Sequence, residues 1–531
     1  MVIHRHFDEW FSAADSRILG FSGKILLSNL RKEDRIMPDL ERQQYLTEID
    51  RLTKLVDALT STITSQTDTI AQMAAKIDAL QQTIKELTER VNKNSRNSSK
   101  PPSSDGYGKP NPKSLRPTSG KKQGGQKGHP GKNMAIPHEP DEVKQHYPEK
   151  CLRCPHLAAC VTDGTISACG ESRYVVDVIV KTYVTKHETM EAGRCPMGET
   201  GLCGMFPEDV KAYVQYGDSV TVLVGLLSTY GAVAMNRIHV LLGSLMGVSL
   251  STGTIASMVH KCAKKVGPVM KTVQKLLQNS HVGCFDETGV RACGKLLWVH
   301  NSSSKLYTYQ TISQKRGKPG IDENGVLPCF HGVAMHDCWS PYWKYKGVKH
   351  AICNAHLLRE LTGIEENNPD HTWPVRFKTL LRNMKKTKEK AIARGRSKLR
   401  NYYLYEFGRE YDKIMEIACA ECPDPSLNAL KRKGRKKKGK ERALIERLMQ
   451  LKDAVCLFIH DFMVPFDNNQ AERDLRGVKA KKNVSGCFRS EEGAQDYLDV
   501  MSYLNTGKKH GVSVFDALTA AFSGNAEIIL Q

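Results

Sequence analysis

The chain of 531 residues has a formal net charge of +21 and a pI of about 9.2, with 78 Lys and Arg against 57 Asp and Glu. This length is too great for one small domain and predicts several hydrophobic cores. The excess of positive charge predicts a polyanionic partner, because Lys and Arg that neutralise phosphates release bound counterions. A basic but otherwise ordinary soluble protein is the alternative.

The 16 cysteines are spread along the chain, and the charged stretch from His4 to Asp15 lacks an apolar secretory segment. This pattern predicts a cytoplasmic protein with reduced thiols and metal ligation rather than a disulfide framework. The longest uncharged run, from Ser219 to Asn236, approaches the length of a membrane span. Its Ser, Thr, Gly and Tyr residues favour a buried helix, so no membrane partner is expected.

Residues 1–44 show no clear period and receive no functional assignment, whereas residues 45–93 carry a sustained heptad repeat. The a positions are Ile49, Val56, Ile63, Ile70, Ile77, Ile84 and Val91, and the d positions are Leu52, Leu59, Gln66, Met73, Leu80 and Leu87. β-Branched residues at a with Leu at d predict a parallel two-stranded coiled coil and therefore a homodimer. A single amphipathic helix that docks on its own protein is the alternative.

Residues 94–150 are predicted to form a basic flexible linker. They are rich in Asn, Ser, Pro, Gly and Lys and offer too little apolar surface to offset the entropy of ordering. The segment GKKQGGQKGHPGK favours an arm that follows a nucleic-acid backbone, since glycine lets the main chain approach phosphates closely. We therefore expect DNA contacts at Lys121, Lys122 and Lys127, with a solvated linker as the alternative.

Residues 151–207 begin with a CxxC knuckle and carry a second cysteine pair beyond a strand-like run at 173–187. This order is typical of a zinc ribbon. The predicted zinc ligands are Cys151, Cys154, Cys195 and Cys203. The second pair is spaced more widely than CxxC, so His156 and Cys160 stay open as alternative ligands, as does loss of the metal.

Residues 208–280 are predicted to be helical throughout. The segment MNRIHVLLGSLMGVSLSTGTIASMVHKCAKK predicts two helices joined by a turn that contains glycine, with Ser251 or Thr252 capping the second helix. This pair is expected either to recognise DNA as a helix-turn-helix or to pack beneath a catalytic core.

Five strand-like runs follow within residues 281–362: HVGCFD, LLWVHN, LYTYQT, GVAMHD and HAICNA. Residues 363–454 are helical and basic, including KRKGRKKKGKER at 431–442, which is either a solvated loop or a DNA contact. Residues 455–531 complete the same α/β core, because so long a connection requires a helical insertion rather than a bare loop.

Three acidic residues stand in distinct local contexts. Asp286 in HVGCFDETGV and Asp337 in GVAMHDCWSPY follow apolar runs at predicted strand ends, and Glu472 in DNNQAERDLR leads into a helix. Three such carboxylates can hold two divalent ions for an in-line phosphoryl displacement. Spacing alone is a weak signal in a chain with 57 Asp and Glu.

The local sequences around these acids resemble those of a known family. DETGVRACGKLLWVH, HDCWSPYW, CNAHLLREL and NNQAERDLRGVKAKKNVSGCFRSEEGA resemble the catalytic blocks of a DDE-type bacterial transposase, that of the insertion sequence 66 family. NSRNSSKPPSSDG and GGQKGHPG resemble that family's upstream linker. The blocks occur in the same order from about residue 45 to about residue 520.

The resemblance implies a multidomain α/β protein: a coiled coil, a small zinc-ribbon-like domain and a helical domain precede an RNase H-like catalytic core with a helical insertion. It implies that Asp286, Asp337 and Glu472 are the catalytic residues and hold two Mg²⁺ or Mn²⁺ ions. The partners implied are double-stranded DNA at the nucleoid and accessory proteins encoded by the same element.

Basic residues after the glutamate are expected to contact the scissile strand, with a solvated helical face as the alternative. They are Arg473, Arg476, Lys479, Lys481 and Lys482. The shared block also suggests that His356 and Arg359 line the site, although His356 serves equally well as a hydrogen-bonding core residue. Three other functions stay open: a nuclease without strand transfer, a non-catalytic DNA-binding regulator and a hydrolase built on Cys353 and His356.

Overall fold

The computed structural model describes residues 39–94, 96–98, 139–167, 173–176, 178, 180–192, 197, 202–424 and 439–531. The chain divides into two compact units, Met1–Lys93 and Asn94–Gln531. The predicted DNA contacts Lys121, Lys122 and Lys127 lie outside the described residues. No helix in the described part of the chain is long and apolar enough to cross a membrane.

The heptad repeat forms one continuous helix of 53 residues, α1 (Asp39–Val91), which begins before the repeat itself. The apolar side chains of the repeat are exposed along the helix, as at Ile70 and Ile77. The helical prediction is confirmed for this segment, and pairing with a second copy stays a prediction.

The segment around the CxxC motif has little regular structure. Its described elements are α2 (Glu149–Leu152), α3 (Leu157–Thr162), and the short antiparallel strands β1 (Glu191–Ala192) and β2 (Leu202–Cys203). The predicted strand at 173–187 is absent from the residues described there. Val175, Val178 and Tyr183 are exposed, because no neighbouring strand covers them.

Three helices precede the sheet: α4 (Asp218–Ser228), α5 (Met235–Met246) and α6 (Thr252–Gln278). The prediction of helix throughout 208–280 is wrong before Asp218, where the chain buries none of its apolar side chains. Gly247 ends α5 in the left-handed conformation at φ 66°, and the Ser251 hydroxyl caps α6 by accepting the Thr254 N–H. One face of α6 is buried from Ile255 to Leu277, as expected of a helix that packs beneath the core. Recognition of DNA by α5 and α6 stays a prediction.

All five predicted runs are strands of one mixed sheet. They are β3 (Val282–Ala292), β4 (Lys295–Ser303), β5 (Thr308–Ser313), β6 (Val333–His336) and β7 (Lys349–Ile352). The strand order is β5-β4-β3-β6-β7. β3, β4 and β5 form an antiparallel meander, and β6 and β7 add in parallel on the other side of β3. A short α-helix, α7 (Lys318–Asn324), and a 3₁₀ helix, Leu327–Cys329, lie in the connection between the two halves.

Helices cover both faces of the sheet. The remaining described α-helices are α8 (Asn354–Asn367), α9 (Trp373–Ala393), α10 (Asn401–Glu421), α11 (Lys440–Gln450), α12 (Lys452–His460), α13 (Asn469–Asp474), α14 (Arg476–Ser485), α15 (Glu491–Lys509) and α16 (Val514–Phe522). Cys284 packs in a core with α8 to α12, whereas its neighbour Phe285 packs in a core with α6, α15 and α16. This alternation places β3, the middle strand of the sheet, between the two cores.

Candidate active site

Asp286 lies on β3 and Asp337 directly follows the neighbouring strand β6, each two residues beyond the last β3–β6 pair. The parallel pairing of β3 with β6 stops at Cys284 and Met335, and Asp337 is the first residue after β6. The prediction that Asp286 ends a strand is wrong, because β4 continues to pair with β3 as far as Ala292. Asp286 therefore sits within β3, two residues beyond the end of its parallel pairing with β6.

Each of these carboxylates is oriented by a backbone N–H that follows it in the chain. The Glu287 N–H donates to Asp286 Oδ1 at 2.9 Å, and the Trp339 N–H donates to Asp337 Oδ1 at 2.9 Å. Such bonds fix the carboxylate planes without neutralising their charge.

The two carboxylates share a poorly solvated, negatively charged environment. Burial raises the pKa of Asp286 to about 8, with further contributions from the charges of Glu287 and Asp337. Burial, followed by the charge of Glu287, raises the pKa of Asp337 to about 6. A hard divalent cation would relieve this accumulation of charge, and carboxylate oxygens are its preferred ligands.

Glu472 lies on α13, which begins next to β3. The preceding Asn468 anchors that helix, because its Nδ2 donates to the Phe285 carbonyl at 2.8 Å and its N–H donates to Cys353 Sγ at 3.1 Å. Glu472 Oε1 lies 3.5 Å from Nη2 of Arg359, a residue of α8.

The structure brings Asp286 and Asp337 together but does not close a three-carboxylate cluster. Among the described residues, no group of three or more His, Cys, Asp or Glu side chains is arranged so that it could hold a metal ion. The convergence of Glu472 with the two aspartates therefore stays a prediction.

A buried ion pair that sequence reasoning missed holds the helix of Glu472. Lys509 Nζ lies 2.8 Å from Asp474 Oδ2, and both side chains are buried. Thr308 on β5 donates its hydroxyl to the same oxygen at 2.9 Å. No local sequence pattern predicts this pair, because Lys509 is 35 residues from Asp474 and Thr308 is 166 residues from it along the chain.

Glu287 is a second residue that sequence reasoning missed, although it stands in the DETG block. Its side chain is only 3% exposed. Arg316 donates to Oε1 from Nε at 3.1 Å and from Nη2 at 2.9 Å, and the Tyr342 hydroxyl donates to Oε2 at 2.7 Å. Both oxygens of Glu287 are thus engaged, which separates its role from that of Asp286.

Four of the five predicted basic residues after the glutamate are exposed: Arg473, Arg476, Lys479 and Lys482. They recur every three residues across α13 and α14. Lys481 is a correction, because it is buried and its Nζ donates to the carbonyls of Ser228 at 2.9 Å and Val233 at 3.2 Å. Its position on α14 points it into the protein, where no phosphate can reach it.

His356 and Cys353 lie beside the site without the character of a nucleophilic pair. Burial raises the pKa of the Cys353 thiol to about 12, so the thiolate does not form near neutral pH. Burial also lowers the pKa of His356 to about 4, which keeps its ring neutral. Its buried Nδ1 has no hydrogen-bond partner in the described structure, and neither does the buried Oδ1 of Asn468.

The predicted zinc ligands are only partly described. Cys151 is half-buried, and Cys154 and Cys203 are exposed, whereas Cys195 lies outside the described residues. The described cysteines and His156 do not form a group of three that could hold a metal. The zinc ligand set stays a prediction.

Two aspartates thus lie together beside the mixed sheet, and exposed cations follow on α13 and α14. The model of the Transposase IS66 family matches residues 214–496, which is more than half of the chain. The chain therefore belongs to the IS66 family of transposases. Residues 38–135 also match a family of unknown function (DUF6444). No curated protein matches the chain.

Proposed function

We propose that this transposase cuts the ends of an insertion sequence and joins the 3′ ends to target DNA by metal-assisted phosphoryl transfer. The observation that carries the proposal is the placement of Asp286 on β3 and of Asp337 at the end of the adjacent strand β6, each held by a backbone N–H. The antiparallel meander followed by two parallel strands supports an RNase H-like core for this chemistry.

Asp286 and Asp337 would hold Mg²⁺ or Mn²⁺, and Glu472 would join them as the third ligand. Their fit to a cation rests on the two interacting, half-buried aspartates. Asn468, whose Nδ2 bonds the Phe285 carbonyl next to Asp286, also has a buried Oδ1 without a partner among the described residues. Two bound ions would activate the attacking oxygen and stabilise the leaving oxygen of an in-line displacement.

The chain's own residues would bind and align the DNA. Arg473, Arg476, Lys479 and Lys482 form an exposed row next to Glu472, and each would pair with a backbone phosphate. The reaction needs no covalent protein intermediate, because alignment and electrostatics lower the barrier.

Two further parts complete the proposed enzyme. The exposed heptad face of α1 would pair with a second copy, so that one dimer could bring two DNA ends together. A zinc ion at the segment 151–207 would stabilise that segment, because its described apolar side chains, such as Val175 and Tyr183, are exposed rather than packed in a core.

The proposal is tested with purified protein, Mg²⁺ or Mn²⁺, and a plasmid that carries the element's own terminal repeats. We expect nicks at the repeat ends and joined products in the wild type. Asp286→Asn, Asp337→Asn and Glu472→Gln should each abolish nicking and leave DNA binding largely intact, because only the metal ligands change.

Asp412→Asn is a matched control, since Asp412 is an exposed carboxylate on α10 that pairs with Lys452. It should nick at the wild-type rate. Near wild-type nicking by one of the three site variants would remove that residue from the ligand set. Nicking without joined products would assign the protein as a nuclease instead.

A further inference from the structure

Arg316 lies between two tryptophan rings beside the paired aspartates. Its guanidinium carbon is 4.7 Å from the ring centre of Trp298 and 4.4 Å from that of Trp339. Glu287 fixes the same guanidinium through Nε and Nη2. Ring stacking and the carboxylate together leave the Arg316 side chain little rotational freedom.

The guanidinium is nevertheless open to solvent. The Arg316 side chain is 46% exposed, whereas its partner Glu287 is 3% exposed. Nη1 makes no hydrogen bond to any residue that the structure describes. A cation that served only to neutralise Glu287 would gain more from full burial, since exposure weakens an ion pair.

The residues that hold Arg316 are the same residues that orient the two aspartates. Glu287 binds Arg316 with its side chain and Asp286 with its N–H. Trp339 stacks on Arg316 and donates its N–H to Asp337. The free edge of Arg316 is thereby held at a set position relative to both carboxylates.

We propose that Arg316 is a DNA-binding residue, whose Nη1 edge binds a phosphate of the strand that enters the carboxylate site. Two half-buried carboxylates repel an approaching polyanion unless a cation lies near them. Because the guanidinium of Arg316 is already held in one position, it can bind a phosphate oxygen with little loss of side-chain entropy. This assignment rests on the proposed function in taking DNA as the ligand.

The test measures binding of a short DNA duplex in Ca²⁺ between roughly 50 and 200 mM salt. Arg316→Ala should weaken binding about tenfold, the size of one charge-assisted hydrogen bond. It should also reduce the slope of log affinity against log salt by about one, because one phosphate contact is lost.

Lys318→Ala is the matched control. Lys318 lies in the same segment, where it pairs with Asp322 at 2.6 Å and stacks on Tyr345. Its loss therefore removes one positive charge of the same segment without removing a partner of Glu287 or Trp339. Its effect on the salt slope should be much smaller. Equal slopes for the Arg316 and Lys318 variants would overturn the assignment and indicate a general effect of charge.

A second variant separates binding from folding. Arg316→Ala leaves Glu287 buried and unpaired, so it should lower the melting temperature. The double variant Glu287→Gln with Arg316→Ala removes that charge and should restore stability while DNA affinity stays low. If the double variant regains wild-type affinity, Arg316 only neutralises Glu287 and the proposal is wrong.

Failure of the Arg316 assignment can be distinguished from failure of the proposed reaction. A wild-type protein that binds DNA in Ca²⁺ but never nicks it in Mg²⁺ contradicts the proposed reaction. The Arg316 assignment is decided by the binding slopes alone, whichever way the nicking assay ends.

Discussion

Lys481 and Lys482 are neighbours in sequence with opposite environments, and this difference predicts their roles. Lys481→Met should leave DNA affinity and its salt slope unchanged, because the ammonium is buried against the Ser228 and Val233 carbonyls. Lys482→Met should lower the salt slope by about one, because that side chain is exposed. Filter binding across a salt series compares the two variants directly, and a slope change in Lys481→Met would contradict the placement.

The burial of Lys481 also predicts a pH dependence of stability. Burial lowers its pKa to about 8, below the value of about 10.4 for lysine in an unfolded chain. Between these values the unfolded state binds more protons than the folded state, so the free energy of unfolding rises with pH. Urea titrations from about pH 8 to about pH 10 should show this rise in the wild type and a smaller rise in Lys481→Met.

Among the elements, α1 offers a sharp test of self-association. A fragment covering 45–93 should be helical and dimeric, because pairing with a second copy would bury the apolar heptad side chains that are exposed on α1. Ile70→Asp with Ile77→Asp places charges in the seam and should give a monomer with reduced helicity. Sedimentation of both fragments decides the question, and a monomeric wild-type fragment would exclude the dimer.

The pair Asp474–Lys509 fixes α13 to α15 and predicts a large stability cost on truncation. Asp474→Ala should destabilise the protein by about 3–5 kcal/mol, because it leaves the Lys509 ammonium buried without its partner. Asp474→Leu with Lys509→Met should cost much less, because both charges are removed together. Asp412→Ala, which breaks the more exposed pair with Lys452, should cost about 1 kcal/mol or less in the same urea titration.

Elements with a strong local pattern were predictable from the sequence, and contacts between distant segments were not. The five strands and α1 follow from apolar periodicity. The strand expected at 173–187 does not form in its described residues, because alternation without a pairing partner buries nothing. The Arg316 stack was unpredictable for a related reason, since Trp298, Arg316 and Trp339 come from three separate parts of the fold.

For the whole molecule, metal content is the most direct test of the zinc-binding domain that we propose at residues 151–207. Protein purified without chelator should carry about one zinc per chain, and Cys151→Ser should release it. Cys293→Ser is the control, because Cys293 is an exposed cysteine outside the proposed ligands. Elemental analysis that finds no zinc in the wild type would exclude the ribbon.

Asn354 joins the two ends of the helical insertion. Its N–H donates to the Phe466 carbonyl at 3.1 Å, and its Nδ2 donates to the Val455 carbonyl at 3.2 Å. The chain therefore leaves the sheet and returns to it at one fixed point. Doubling the length of such an excursion costs only about 0.6 kcal/mol in closure entropy. The length and charge of the insertion can thus change during evolution without moving the helix of Glu472 relative to the strands.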